Sequence, residues 1–318
     1  MKHLNYGKIV LIGAGHVGSA ILDSILRMNL ADEIVVINRN EKKALGVVLD
    51  ASHTTAFAYS SNTSIRVGGF EECADAQIII NTAGPSIQPG NSRDRMVLLQ
   101  TNVTVMRETM EKIAAYTRDA VLINVSNPMD ILTYIAQRDF AYPKNKIFGT
   151  GTLLDTARFN KMIADICKVD AKNVTGFVMG EHGGTCFIPW NCVNIVGIPF
   201  AEFQSQFALE QPIDKEQLLH EVKVSGLDIV ELKGYTSSGI ALSVCRLVGA
   251  IMRNEKAVVP VSTVLDGQYG LSEVAMSMPC VISRAGIDRV LQLPLDEDGK
   301  EGLKNCYEYL HGIIEQVR

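Results

Sequence analysis

The sequence predicts an α/β protein, a Rossmann-type doubly wound parallel sheet followed by a mixed α+β substrate domain. Three observations carry that expectation. Short β-branched runs alternate with helix-length amphipathic segments through the first half of the chain. Runs such as Ile9-Val10-Leu11-Ile12 and Ile78-Ile79-Ile80 are apolar without a break, as strands covered on both faces must be. A glycine-rich turn, Gly13-Ala14-Gly15-His16-Val17-Gly18, falls between the first such run and the first helix.

Taken in order, strands are predicted at 8–12, 33–37, 64–67, 77–81, 121–125 and 146–148, with a helix over 19–28 after the glycine turn. Parallel strands need crossover helices, and six of them make a dinucleotide-binding domain over residues 1–148. Beyond Gly151 the texture changes. A helix over 153–167 precedes a strand ending at Gly180, an apolar strand pair around 187–198, a helical stretch over 216–252 broken at Gly234, and strands at 258–265 and 278–283. These make up a substrate domain over 149–318. With no repeat or flexible linker between them, the two domains should pack tightly.

Composition narrows the partners. The 318 residues are 47% hydrophobic and 20% charged, and the net charge of -5 comes without a lysine and arginine stripe. Nothing in it invites nucleic acid or an anionic membrane, which leaves a small-molecule partner. The opening residues carry no export signal, so a cytoplasmic protein is expected. Seven cysteines lack the paired spacing of a metal site and read as reduced, mostly buried thiols, with no metal.

The glycine turn has the chemistry of a pyrophosphate cradle. Gly13 allows a tight turn, Gly15 keeps a side chain away from the phosphates, and Gly18 lets helix and strand approach; His16 and Val17 complete the turn before the helix whose N-terminus faces the phosphates. About twenty residues on, an acidic residue would bind the adenine ribose of NAD. This chain has Asn38 followed by Arg39. An amide can still bond a ribose hydroxyl without repelling a 2'-phosphate. NAD is therefore expected, with NADP use left open.

Four polar signatures point to one catalytic site. His182 sits in Gly180-Glu181-His182-Gly183 after an apolar strand; Asp155 and Arg158 lie one turn apart on a helix; Ser126-Asn127-Pro128 ends the fifth strand, where doubly wound sheets bind ligands; and Asn91 to Arg95 form a loop with two arginines. Gly13 to Ser19, Ser126 to Asp130, Gly149 to Phe159, Glu181-His182-Gly183 and Leu232 to Thr236 together resemble the L-lactate and L-malate dehydrogenase family. Within it the chain is most similar to L-lactate and L-2-hydroxyisocaproate dehydrogenases.

The resemblance implies an NAD-dependent L-2-hydroxy acid dehydrogenase with His182 as acid and base, Asp155 orienting its imidazole and Arg158 clamping the substrate carboxylate. Asn127 would meet the nicotinamide end and the substrate oxygen, and Thr236 would line the pocket. A loop arginine would polarise the carbonyl: Arg95 when counted back from the following helix, Arg93 when counted forward from Pro89-Gly90. Substrate choice would fall to Ile87 or Gln88, and the absence of an arginine there disfavours malate. Ser237-Ser238-Gly239 stands where a bulky aromatic is common, so branched 2-oxo acids rank as the alternative to pyruvate. A homotetramer or homodimer is implied as well, and a non-catalytic NAD sensor is the remote alternative.

Overall fold

The computed structural model describes residues 7–57, 61–87, 90 and 95–317, with the side chain of Arg95 outside that set. Its first half is the expected alternation: β1 (Lys8–Ile12), α1 (His16–Arg27), β2 (Glu33–Ile37), α2 (Glu41–His53), β3 (Ser64–Val67), β4 (Ile78–Asn81), α3 (Leu99–Ala114), β5 (Val121–Asn124), α4 (Met129–Arg138) and β6 (Ile147–Gly149). All six strands pair in parallel, in the order β6-β5-β4-β1-β2-β3. The apolar runs explain why: Ile9 to Leu11 and Ile78 to Ile80 have no exposed surface, because helices cover both faces. The first helix starts three residues earlier than expected, directly on Gly15, whose backbone is extended.

The second half continues with α5 (Leu153–Cys167), β7 (Val174–Thr175), β8 (Asn194–Ile195), β9 (Ile198–Pro199), α6 (Phe203–Gln206), α7 (Lys215–Lys233), α8 (Ser238–Met252), β10 (Ala257–Asp266), β11 (Ser272–Ser283), β12 (Gly286–Val290) and α9 (Glu297–Val317). The expected helix over 153–167 is present with those bounds, and the long helical stretch breaks where Gly234 takes φ 92. Two expectations need correction. The strand pair around 187–198 is reduced to the two-residue strands β8 and β9, because Pro189 turns the chain into a short 3-10 segment and Trp190 packs on Phe159 and Phe200. The strand ending at Gly180 is likewise only β7 and single bridges from Met179 to Phe187 and from Gly180 to Ser277.

The last three strands do not make a separate sheet. β10 joins β6 through the pair Ser262 and Gly149, and β11 and β12 follow antiparallel, giving one nine-stranded sheet. A large buried cluster spans both halves along this sheet, while Phe159, Ile163, Val178, Ile188, Phe203 and Val222 belong to a smaller core under α5 and α7. The C-terminal ends of β1, β4 and β5 therefore face the start of α5 across a single cleft. Among the described residues no helix is long and apolar enough to cross a membrane.

Candidate active site

The cleft is lined at one end by Gly15, His16, Val17 and Lys43, in its middle by Thr82, Ser126 and Asn127, and at its other end by Arg158, His182, Thr236 and the apolar residues Ile87, Leu154, Leu227, Val230 and Ile240. Each of the three glycines is required for its own reason. Gly13 turns at φ +104, and a Cβ there would meet Thr82 Oγ1 at 2.4 Å; on Gly18 it would meet the Gly13 carbonyl oxygen at 2.0 Å. On Gly15 it would meet nothing within 4 Å and would project into open space. Space that is empty although the backbone could carry a side chain is what a pyrophosphate against the N-terminus of a helix needs. The cradle fits a dinucleotide.

Asn38 follows β2. Its Oδ1 accepts the Ala14 N–H at 3.1 Å and its Nδ2 donates to the Asn40 carbonyl at 2.9 Å, so the amide ties the glycine turn to the start of α2. Arg39 beside it is exposed. His16 stacks on Tyr235 with ring centroids 4.0 Å apart and planes within 7°, which joins the glycine turn to the loop carrying Thr236. Nothing in the local sequence pattern marks that contact, since the partners are far apart in the chain.

The polar end is built around α5. Thr152 Oγ1 donates to the Val178 carbonyl at 2.5 Å, and Thr156 Oγ1 accepts the Val178 N–H at 2.9 Å, which stitches the first turn of α5 to the segment before His182. On the other side Gly180 exchanges both backbone hydrogen bonds with Ser277 of β11, at 3.0 and 2.8 Å. Gly180 has φ +87 and a Cβ there would strike Cys306 Sγ at 2.3 Å, so the bend that turns His182 into the cleft requires glycine.

Held this way, His182 Nδ1 lies 2.6 Å from Asp155 Oδ2, and Arg158 Nη1 lies 2.8 Å from Asp155 Oδ1. One carboxylate thus touches both groups. The three side chains are 12%, 9% and 15% exposed, enough to meet a small ligand and too little for water to screen them strongly. Asn127 lies across the cleft at the end of β5; its backbone carbonyl accepts Asn102 Nδ2 at 2.6 Å, while its own buried Oδ1 has no hydrogen-bond partner. A buried acceptor left open on a cleft wall is a place for a ligand donor. Ile87 also lines the cleft, whereas Gln88, Arg93 and the side chain of Arg95 lie outside the described residues.

A second carboxylate had no assigned role in the sequence reading. Asp130, in the first turn of α4, accepts the His182 backbone N–H at 2.8 Å on Oδ2 and the Ser262 hydroxyl at 2.5 Å on Oδ1. The signal was an acid inside an otherwise apolar helix start, but its partners are 52 and 132 residues away. Burial pushes its carboxyl up to about 7, despite both hydrogen bonds.

A folded-state pKa above the ordinary 3.8 means that the folded protein binds the proton more tightly than the unfolded chain. Its contribution to stability is thus present below that ordinary value and is lost as pH rises towards about 7. The loss is at most on the order of 4 kcal/mol. Asp130→Asn keeps an acceptor for the His182 N–H and carries no charge. Its Tm should fall by several degrees less than that of the wild type between about pH 5 and about pH 8. Parallel melting profiles for the two proteins would refute this assignment.

Two family models cover the chain: the lactate/malate dehydrogenase NAD binding domain over residues 7–149 and the lactate/malate dehydrogenase alpha/beta C-terminal domain over 152–318. The chain belongs to the lactate/malate dehydrogenase family. L-lactate dehydrogenase 2 of Clostridium acetobutylicum is 52% identical over 308 residues, 97% of this chain and 96% of that one. The L-lactate dehydrogenase of Selenomonas ruminantium is 38% identical over 98% of both chains. Among solved structures, the minor L-lactate dehydrogenase of Enterococcus mundtii in a ligand-bound form superposes with a TM-score of 0.92 at 34% identity, covering 99% of each chain. Membership in this dehydrogenase family makes NAD the cofactor for which the glycine cradle is built.

Proposed function

We propose that the chain is an NAD-dependent L-2-hydroxy acid dehydrogenase of the L-lactate type, with His182 as its acid and base. The observation that carries this reading is the shared carboxylate: Asp155 holds the imidazole at 2.6 Å and the guanidinium at 2.8 Å on one cleft wall. With its Nδ1–H given to Asp155, the neutral imidazole presents Nε2 as a base for the substrate hydroxyl proton; in the reverse direction the imidazolium returns that proton to the 2-oxo oxygen. Arg158 binds the substrate carboxylate through its remaining N–H donors. Gly13, Gly15 and Gly18 would hold the nicotinamide cofactor, which would supply the acceptor, and in reverse the donor, of the hydride at C2. Asn127 offers its open Oδ1 to the substrate, Thr236 lines the same cleft, and polarising the carbonyl is assigned to a loop arginine, Arg95 or Arg93, whose side chains lie outside the described residues.

Pyruvate is placed first among substrates because the relatives named above are L-lactate dehydrogenases and apolar residues such as Leu154, Val230 and Ile240 line the same cleft as Arg158. Branched 2-oxo acids stand behind it. Among the described residues Arg158 is the arginine that lines the cleft, and it is assigned to the carboxylate beside C2. The free, mostly buried cysteines fit a reducing, cytoplasmic setting. Exposed Leu45 and Leu49 on α2 and Leu242 on α8 support a homo-oligomer, a dimer or a tetramer.

Following NADH oxidation with pyruvate, 2-oxoisocaproate and oxaloacetate, with and without a chelator, tests the proposal. Pyruvate should lead oxaloacetate by ~10²-fold in kcat/KM, indifferent to the chelator. Preference for oxaloacetate, dependence on metal, or silence with every 2-oxo acid would overturn it.

A further inference from the structure

The adenine-ribose end of the cleft departs from an NAD-selective site in three linked ways. An NAD site places a carboxylate after the second strand, where it binds the ribose 2'-hydroxyl and repels a 2'-phosphate. Here Asn38 stands after β2 without charge, and its amide bonds Ala14 at one end and Asn40 at the other, so it acts as a brace for the glycine turn. Next to it, Arg39 and Lys43 are both exposed, and Lys43 lines the same cleft as Gly15 and His16. Residues 38–43 carry three cations, Arg39, Lys42 and Lys43, against the single carboxylate of Glu41. The Asn40 side chain accepts the Lys43 N–H at 3.1 Å and so fixes the turn that presents Lys43.

Resting on the dinucleotide reading of the glycine cradle, we propose that this end of the cleft accepts a 2'-phosphate, so that the chain binds and uses NADPH as well as NADH. Arg39 and Lys43 bind the phosphate, and Asn38 admits it by lacking a charge. A monoester phosphate carries nearly two negative charges near neutrality and offers three acceptor oxygens, which suits a fork donor and an ammonium side by side. Both cations are exposed, so their contribution is sensitive to salt.

The test is binding to the apoenzyme, read by nicotinamide fluorescence with NADH and NADPH, and by thermal shift with 5'-AMP and 2',5'-ADP. At low ionic strength NADPH should bind within ~10-fold of NADH, and 2',5'-ADP should stabilise the protein more than 5'-AMP does, with the phosphate's advantage fading as salt is added. Asn38→Asp restores the repelling charge while keeping the acceptor for Ala14. It should weaken NADPH relative to NADH by ~10²-fold. The pair Arg39→Ser with Lys43→Ser should weaken NADPH ~10-fold more than NADH. NADPH binding more than ~10²-fold weaker than NADH in the wild type, or an Asn38→Asp variant that leaves their ratio unchanged, would overturn the proposal. Binding of neither nucleotide would instead remove the dinucleotide reading on which it rests.

Discussion

Replacing His182 with Gln should lower kcat for both pyruvate reduction and lactate oxidation by ~10²–10⁴-fold while NADH still binds. Glutamine can hydrogen-bond a substrate oxygen but cannot take or give a proton at neutral pH. The loss belongs to the transition state, so kcat and kcat/KM should fall together. In the wild type the two directions need opposite protonation states of one imidazole, reduction the imidazolium and oxidation the neutral ring. Asp155→Asn provides an internal comparison. It keeps the shape beside Nδ1 at 2.6 Å but replaces an acceptor-only carboxylate with an amide that can also donate, so the ring is no longer held in one tautomer and both directions should slow. A His182→Gln enzyme within tenfold of wild-type kcat would remove His182 from the reaction.

The parts of the fold legible in the sequence are those whose cause is local. The parallel strands read as strands because being covered on both faces demands unbroken apolar runs, and α5 has its expected bounds because its helical period is continuous. What escaped depends on distant pairing. The single bridge between Gly149 and Ser262 carries β10 to β12 onto the parallel sheet, and no periodicity in either segment announces it. The apolar run after Cys186 read as strand, yet its side chains are buried by packing against Phe159 and Phe200 rather than by extended pairing. The same division holds in the cleft. His182, Asp155 and Arg158 were visible as residue types at suggestive spacings, and the structure gathers them. Asp130 drew no role because its link to His182 exists only once β10 and the 178–182 segment flank α4. Asn38 was visible as a missing carboxylate, but its bonds to Ala14 and Asn40 exist only once the glycine turn and the start of α2 meet after β2.

Arg158→Lys should lower kcat/KM for pyruvate by ~10²-fold or more, chiefly through KM. The guanidinium already gives one nitrogen to Asp155 at 2.8 Å and, with five N–H donors on a rigid plane, keeps a fork for a carboxylate; a lysine ammonium with three donors on a flexible stem cannot serve both in fixed geometry. Because Arg158 also steadies Asp155, a bare loss of activity would not separate substrate binding from support of the His182 pair. Comparing pyruvate with its uncharged amide does so. If Arg158 reads the carboxylate, the wild type should prefer the acid strongly, and Arg158→Gln should collapse that preference while affecting the amide far less. If Arg158 acts only through Asp155, both substrates lose the same factor and the preference survives. Survival of the preference would leave the cleft's carboxylate specificity to the arginine loop before α3, and would move Arg158 from the substrate to the support of Asp155.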